Sequence, residues 1–403
     1  VILTVILLIP SCHAKDHVLD LNVEYKIVNF SGKSVKAKSI NGQIPAPTLR
    51  FKQGDRVTIN VHNKLDEETS IHWHGIIIPW QMDGVTGVTQ AGIKPGSVFK
   101  YQFTLQQAGT YWYHAHASLQ EQEGLYGALI VDPLQSAAYS YDKDFAVVLS
   151  DWSDTPAEQI LANLKKDGDY YSPNFPLQAS LTKFLHDYSA ANTVERKQII
   201  EDYKMMQQMR MGLYDFSDVA YDAFLLNGSY KNKPWTALVK VGDTVRLRFV
   251  GAAASTIFKV KIPGTKLQIV HVQGNDVQPY LVDDFTIAPG ETYDVLVKIE
   301  KQQPSIIYAE SLDTSGVAYG ALITDHKHKV DYAQVIPFAP PSTVTSEMMG
   351  LMMDTMPMGM DMSGGSMSMD MPTEASIIGD KLSTPEANYT TSASIKYAPL
   401  KAV

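Results

Sequence analysis

Four histidines, His72, His74, His114 and His116, form two His-x-His pairs in the strand-like segments Ser70-Ile71-His72-Trp73-His74-Gly75 and Tyr111-Trp112-Tyr113-His114-Ala115-His116. Side chains on a β-strand alternate between faces, so residues two apart project together, and two such strands aim four imidazoles into one small volume. Imidazole is a borderline ligand suited to copper, zinc, iron or nickel. A lone histidine on a strand is ordinarily a satisfied core or surface residue. Two pairs, both flanked by Trp and one closed by Gly75, point to metal.

The elements that must position these imidazoles read as β-structure. From Val18 to about Asp132 short alternating strands such as Arg56-Val-Thr-Ile-Asn-Val61, Phe99-Lys-Tyr-Gln-Phe103 and Gly127-Ala-Leu-Ile-Val131 are separated by turns, the pattern of a β-sandwich. Strands resume at Ala223-Phe-Leu-Leu-Asn-Gly228 and run to Gly320-Ala-Leu-Ile323. Val241-Gly-Asp-Thr-Val-Arg-Leu parallels Gln53-Gly-Asp-Arg-Val-Thr-Ile, and Ile287-Ala-Pro-Gly-Glu-Thr-Tyr parallels Ile93-Lys-Pro-Gly-Ser-Val-Phe, so a whole domain is repeated. The second copy has no His-x-His on its strands. His271 reads as structural, and His326 with His328 as part of a solvated loop. Between the copies, from about Pro156 to Asp218, Gln, Lys, Leu and Met at helical spacing predict a largely helical insertion. Its Met205, Met206, Met209 and Met211 form either a thioether cluster or, more simply, a helix's buried face.

After about Ile336 the composition changes. Eleven of the sixteen methionines fall here: Met348, Met349, Met352, Met353, Met356, Met358, Met360, Met362, Met367, Met369 and Met371. Gly, Ser, Asp and Pro between them cannot build a core. Soft thioethers select Cu(I), and a mere linker has no need of them, so the segment reads as a copper-capture element.

A net charge of -9 with a pI near 5.7, and no Lys/Arg-rich stripe, argues against a nucleic-acid partner. The apolar run Val1-Ile-Leu-Thr-Val-Ile-Leu-Leu-Ile-Pro10 is too short to span a bilayer. Followed by Ser11-Cys12-His13-Ala14, it resembles the apolar core and cleavage site of a signal peptide, so we expect export out of the cytoplasm without stable membrane insertion. Cys12 is the sole cysteine; cleavage after Ala14 removes it, and no disulfide or thiolate ligand is available within the mature chain.

The motifs Thr69-Ser-Ile-His-Trp-His-Gly75, Met82-Asp-Gly-Val85, Gly92-Ile-Lys-Pro-Gly96 and Gly109-Thr-Tyr-Trp-Tyr-His-Ala-His116 resemble the amino-terminal half of a multicopper oxidase. The run Leu119-Gln-Glu-Gln-Glu-Gly-Leu-Tyr-Gly127 and the Met-rich segment narrow the resemblance to periplasmic copper-resistance oxidases of the CopA/PcoA type. It implies an all-β chain of tandem cupredoxin-like Greek-key sandwiches. The expected organisation is a signal-peptide remnant (1–14), a first cupredoxin domain (15–135), a second (136–330) with the helical insertion at about 156–218, a Met-rich linker (331–375) and the start of a third domain (376–403). It further implies copper as cofactor, with His72 on the type 2 ion and His74, His114 and His116 on the type 3 pair. Asp83 matches a carboxylate that helps deliver protons to the cluster, although its Asp-Gly turn explains it equally well.

The family's His-Pro-x-x-His-x-His and His-Cys-His motifs, which carry its remaining ligands and type 1 copper, are not found in these 403 residues. The sequence therefore reads as a piece, truncated at both ends and inactive alone, of an oxidase that oxidises Cu(I) or phenolic reductants and reduces O2 to water. The alternative is a non-enzymatic periplasmic protein that sequesters copper through its thioethers and imidazoles. A self-contained two-domain copper oxidase or nitrite reductase would need a type 1 cysteine inside a sandwich, and Cys12 is not placed to supply one.

Overall fold

The computed structural model describes residues 14–339, apart from 136, 138, 168–169, 172–180, 210–217, 231–232 and 328. The Met-rich segment, the apolar leader, the expected third-domain start, Met211 and His328 therefore lie outside the described residues.

Alternation of apolar and polar residues sets the strands of the first sandwich. In β4 (Arg56–Asn63) Val57, Ile59 and Val61 are buried, with more exposed neighbours between them. It lies in the sheet order β2-β1-β4-β6 with β1 (Asp16–Val28), β2 (Val35–Ile40) and β6 (Val98–Thr104). The facing sheet, β3-β8-β7-β5, is made from β3 (Leu49–Lys52), β5 (Ile71–His74), β7 (Gly109–Ala115) and β8 (Tyr126–Asp132). Trp73, Tyr101 and Tyr113 are fully buried between the sheets.

The second sandwich repeats this plan. One sheet runs β10-β9-β12-β17-β14-β15, from β9 (Lys143–Trp152), β10 (Ala223–Leu226), β12 (Thr244–Gly251), β14 (Leu267–Val272), β15 (Asn275–Val282) and β17 (Thr292–Lys298). The other runs β11-β19-β18-β13-β16, from β11 (Trp235–Leu238), β13 (Phe258–Lys261), β16 (Asp284–Ile287), β18 (Ser305–Ser311) and β19 (Val317–Ile323). Pairing confirms the internal repeat: β1 is parallel to β4 as β9 is to β12, and β3 is parallel to β8 as β11 is to β19. The chain is thus an all-β pair of sandwiches, as the sequence predicts. Helices α1 (Ala157–Lys166), α2 (Leu181–Ala190) and α3 (Thr193–Met209) occupy the insertion, and α3 carries Met205, Met206 and Met209. None of the described helices is long and apolar enough to cross a membrane.

The repeat explains where the second copy lost its chemistry. In the first sandwich His72 pairs with His114 and His74 with Trp112 across β5 and β7. The equivalent pairs across β13 and β18 are Lys259 with Glu310 and Lys261 with Tyr308. That face is covered by Phe338, whose backbone N–H donates to Glu310 Oε2 at 2.9 Å and whose ring lies 4.0 Å from Lys261 Nζ and 4.5 Å from Lys259 Nζ. Cations on an aromatic ring, closed by a buried carboxylate, replace a set of ligands.

The two sandwiches meet through the outer face of β7 and β8. Trp112, Tyr126 and Ala128 pack there on Val148, Val250 and Ala252 of the second sandwich. Beside this apolar patch Thr110 Oγ1 donates to Asp294 Oδ1 at 2.7 Å and accepts from Arg248 at 2.9 Å. Asp294 also binds Arg246, while Asp144 binds both Arg248 and Arg50. β7 is consequently buried along its whole length, which makes it a rigid support for His114.

Candidate metal centre

Strand alternation puts Ile71, Trp73, Tyr111, Tyr113 and Ala115 into the first core, so His72, His74, Trp112 and His114 share the opposite face. One ligand nitrogen from each of His72, His74 and His114 lies within 4.8 Å of the others. His116 stands one residue beyond the end of β7 and is exposed. Its ring centroid is 5.5 Å from that of His72 and 5.9 Å from that of His114. Four imidazoles therefore converge, three tightly and His116 at the rim.

Neighbouring groups fix which nitrogens are free. His72 Nδ1 is 2.7 Å from the backbone carbonyl of Asp83, and His114 Nδ1 is 3.0 Å from the carbonyl of Ala115. A carbonyl only accepts, so both Nδ1 atoms carry the proton and both Nε2 atoms keep their lone pair. Neutral imidazole with a free lone pair is the metal-binding form. The donor set therefore fits a borderline ion such as Cu(II). His114 Nε2 faces His74 Nδ1 at 3.4 Å, and the His114 ring stacks on Trp112 at 4.1 Å.

Asp83 follows a short 3-10 turn at Trp80–Met82. Its side chain, one-third exposed, lies 3.3 Å from His72 Nδ1, farther than its own backbone carbonyl. The adjoining Gly84 has φ +81°, and a Cβ there would collide with the carbonyl of Ile71. Only glycine lets this turn back so closely onto β5. From the second sandwich Gly290, in the Pro-Gly turn before β17, lies against His74: a Cβ on it would sit 3.4 Å from His74 Cε1. His271, by contrast, is held by Asp276 at 2.9 Å and takes no part in the cluster.

Burial, and then the adjoining imidazoles, hold His74 down to about 4; His72 is lowered first by burial, against the opposing hydrogen bond to Asp83. Depressed folded values mean that stability is complete above the ordinary value of 6.5 and is lost as the pH falls toward about 4. The metal-free protein is expected to show a falling melting temperature across that window, with a shallower fall in His74→Gln. Parallel melting curves for the two proteins would contradict the burial argument.

Residues that sequence reasoning passed over are Glu121, whose carboxylate Oε2 lies 2.7 Å from His114 Nδ1, and Gly290. Glu121 stands in the quoted run Leu119-Gln-Glu-Gln-Glu, but nothing in that run says which acid faces a histidine.

Tandem Greek-key sandwiches, of which the first aims paired histidines from adjacent strands, define a cupredoxin-like protein with a candidate metal centre. The chain belongs to the multicopper oxidase family: family models described as multicopper oxidase match residues 22–136 and 143–321. Within it the chain is of the copper-resistance type. It is 43% identical over 362 residues to copper resistance protein A of Escherichia coli, an alignment covering 87% of this chain and 58% of that one. It is 41% identical over 334 residues to copper resistance protein A of Pseudomonas syringae pv. tomato, covering 82% and 53%. The chain thus spans a little over half the length of these relatives. Among solved structures, blue copper oxidase from Nitrosomonas europaea aligns with a TM-score of 0.59 and 26% identity, over 83% of this chain and 94% of that one. Laccase from Botrytis aclada gives a TM-score of 0.59 at 24% identity, over 83% and 55%, a likeness of fold.

Proposed function

We propose that the protein is a copper-handling oxidase exported to the periplasm, which takes electrons from Cu(I) or a phenolic reductant and delivers four of them, with four protons, to O2 to give two waters. The observation that carries this reading is the convergence of His72, His74 and His114 with the Nδ1 atoms of His72 and His114 already engaged. When bound, copper supplies the redox centre at which O2 is reduced. His72 would hold the type 2 ion, and His74, His114 and His116 the type 3 pair. Four imidazoles do not saturate three ions at ordinary coordination numbers, so the full reaction draws on further ligands.

The chain's own residues prepare the site. Asp83 orients His72 through its carbonyl and keeps a partly exposed carboxylate beside the same ring, where it would take a proton from solvent and hold it near the reacting oxygen. Trp112 and the Gly290 turn wall the histidines on the side of the second sandwich. The methionines from Met348 to Met371 would collect Cu(I) as substrate, since thioethers favour the soft ion. The similarity to copper resistance protein A supports a role in handling copper.

Separate titrations with Cu(II) and Cu(I) test the proposal. Cu(II) bound to the 403-residue chain is expected to show nitrogen hyperfine coupling in its electron paramagnetic resonance spectrum, lost in His72→Ala/His74→Ala, while Cu(I) uptake persists. Cu(II) coupling that survives that double substitution would overturn the site. Cu(I) uptake unaffected by removal of the eleven methionines would overturn the capture role.

A further inference from the structure

We propose that Glu121 is a positioning residue for the histidine site, fixing the tautomer and orientation of His114 so that its Nε2 faces the metal; the proposal rests on the copper reading of that site. Its basis is the loop between β7 and β8. There four consecutive residues each make a polar contact in a different direction.

Gln120 is fully buried. Its Oε1 accepts from Thr69 Oγ1 at 2.7 Å and its Nε2 donates to the carbonyl of Glu68 at 2.8 Å, which pins the loop to the residues just before β5. Gln122 Oε1 accepts from Tyr221 of the second sandwich at 3.2 Å. Glu123 pairs with the buried Lys38, and its backbone carbonyl accepts from the Lys38 N–H at 3.0 Å. Gly124 follows with φ +117°, where a Cβ would strike the carbonyl of Lys38 and the side chain of Ile44. A loop tied at 120, 122, 123 and 124 leaves the backbone of residue 121 little freedom.

Glu121 uses that fixed position to reach His114. The 2.7 Å contact to Nδ1 is shorter than the 3.0 Å contact from the same nitrogen to the Ala115 carbonyl. A carboxylate is also the stronger acceptor. The Ala115 carbonyl belongs to the adjacent residue and moves with the strand, so it cannot set the ring's rotation independently. Glu121 can, because it is anchored to β5 and to the second sandwich. Stacking on Trp112 then holds the ring plane, and the carboxylate selects which edge points into the cluster. Partners that receive the second nitrogen proton of a ligating histidine orient the ring and raise its basicity.

The test uses the whole chain in its metal-free and Cu(II)-loaded forms. Long-range nitrogen–proton correlation spectra of the metal-free protein report the tautomer of His114 directly, and chelator competition reports Cu(II) affinity. Glu121→Ala is expected to weaken Cu(II) binding by roughly 10–100-fold and, with only the weaker Ala115 carbonyl left to hold the Nδ1–H form, to add a minor Nε2–H population of His114. Glu121→Gln, which retains an acceptor oxygen, is expected to recover most of the affinity and the Nδ1–H form. Wild-type affinity with an unmixed tautomer in Glu121→Ala would overturn the proposal. So would a wild-type His114 that carries its proton on Nε2, a result that needs no variant to fold. If the wild-type histidines bound no Cu(II), the copper reading would fail by itself, and the metal-free spectra would still decide whether Glu121 sets the tautomer.

Discussion

Replacing His114 by Ala is expected to abolish high-affinity Cu(II) binding at the histidine cluster, with a larger loss than the roughly 10–100-fold that removal of an outer partner costs. The reason is central placement. The His114 ring lies 5.3 Å from that of His72, 5.6 Å from that of His74 and 5.9 Å from that of His116; His72 also neighbours the other three, and of these two central rings His114 is the more buried. His116, exposed and beyond the strand, is expected to give a smaller loss when replaced. Chelator competition on both variants gives the order. Equal losses, or a larger loss for His116→Ala, would mean that the cluster is centred nearer the rim than the burial pattern implies. Because His114 also stacks on Trp112, the metal-free variant should be checked by near-ultraviolet circular dichroism. An intact tertiary spectrum with lost binding separates ligand removal from collapse of β7.

The second large effect concerns the junction between the sandwiches. Asp294 is wholly buried and holds Arg246, Arg248 and Thr110. Asp294→Ala leaves two buried guanidiniums with less compensating charge, and breaking a buried pair in this way costs about 3–5 kcal/mol. Most of that is the penalty of an unpaired buried charge, not the worth of the attraction. Asp294→Leu combined with Arg246→Met is therefore expected to be more stable than Asp294→Ala alone, since Asp144 still balances Arg248. Urea unfolding of the three proteins checks the order. A double variant no better than Asp294→Ala would locate the stability in the attraction itself. Because Thr110 lies on the same face of β7 as His114, Asp294→Ala should also weaken Cu(II) binding.

The fold and the heart of the site were legible in the sequence for a local reason. Strand alternation has a period of two, so Ile71-His72-Trp73-His74 already states that both histidines share a face and that Trp73 goes to the core. The matching Gly-Asp and Pro-Gly turns before β4 and β12 and before β6 and β17 announced two copies of one sandwich. The missing His-x-His in the second copy announced that only one of them could present paired imidazoles. None of this needs to know what lies across the chain.

Other features depended on contacts between residues far apart in sequence. Glu121, seven residues from His114, reaches it only because Gln120 is anchored to Glu68 and Thr69 and Gln122 to Tyr221. Gly290 meets His74, and Thr110 meets Asp294, because two sandwiches dock along β7. Phe338 fills the face that β13 and β18 would otherwise leave open. Which side chains can share a face is written in the residue order, since it follows from backbone geometry within one strand. Which second groups stand behind the histidines emerges only on folding, since it depends on how separate strands, turns and sandwiches pack.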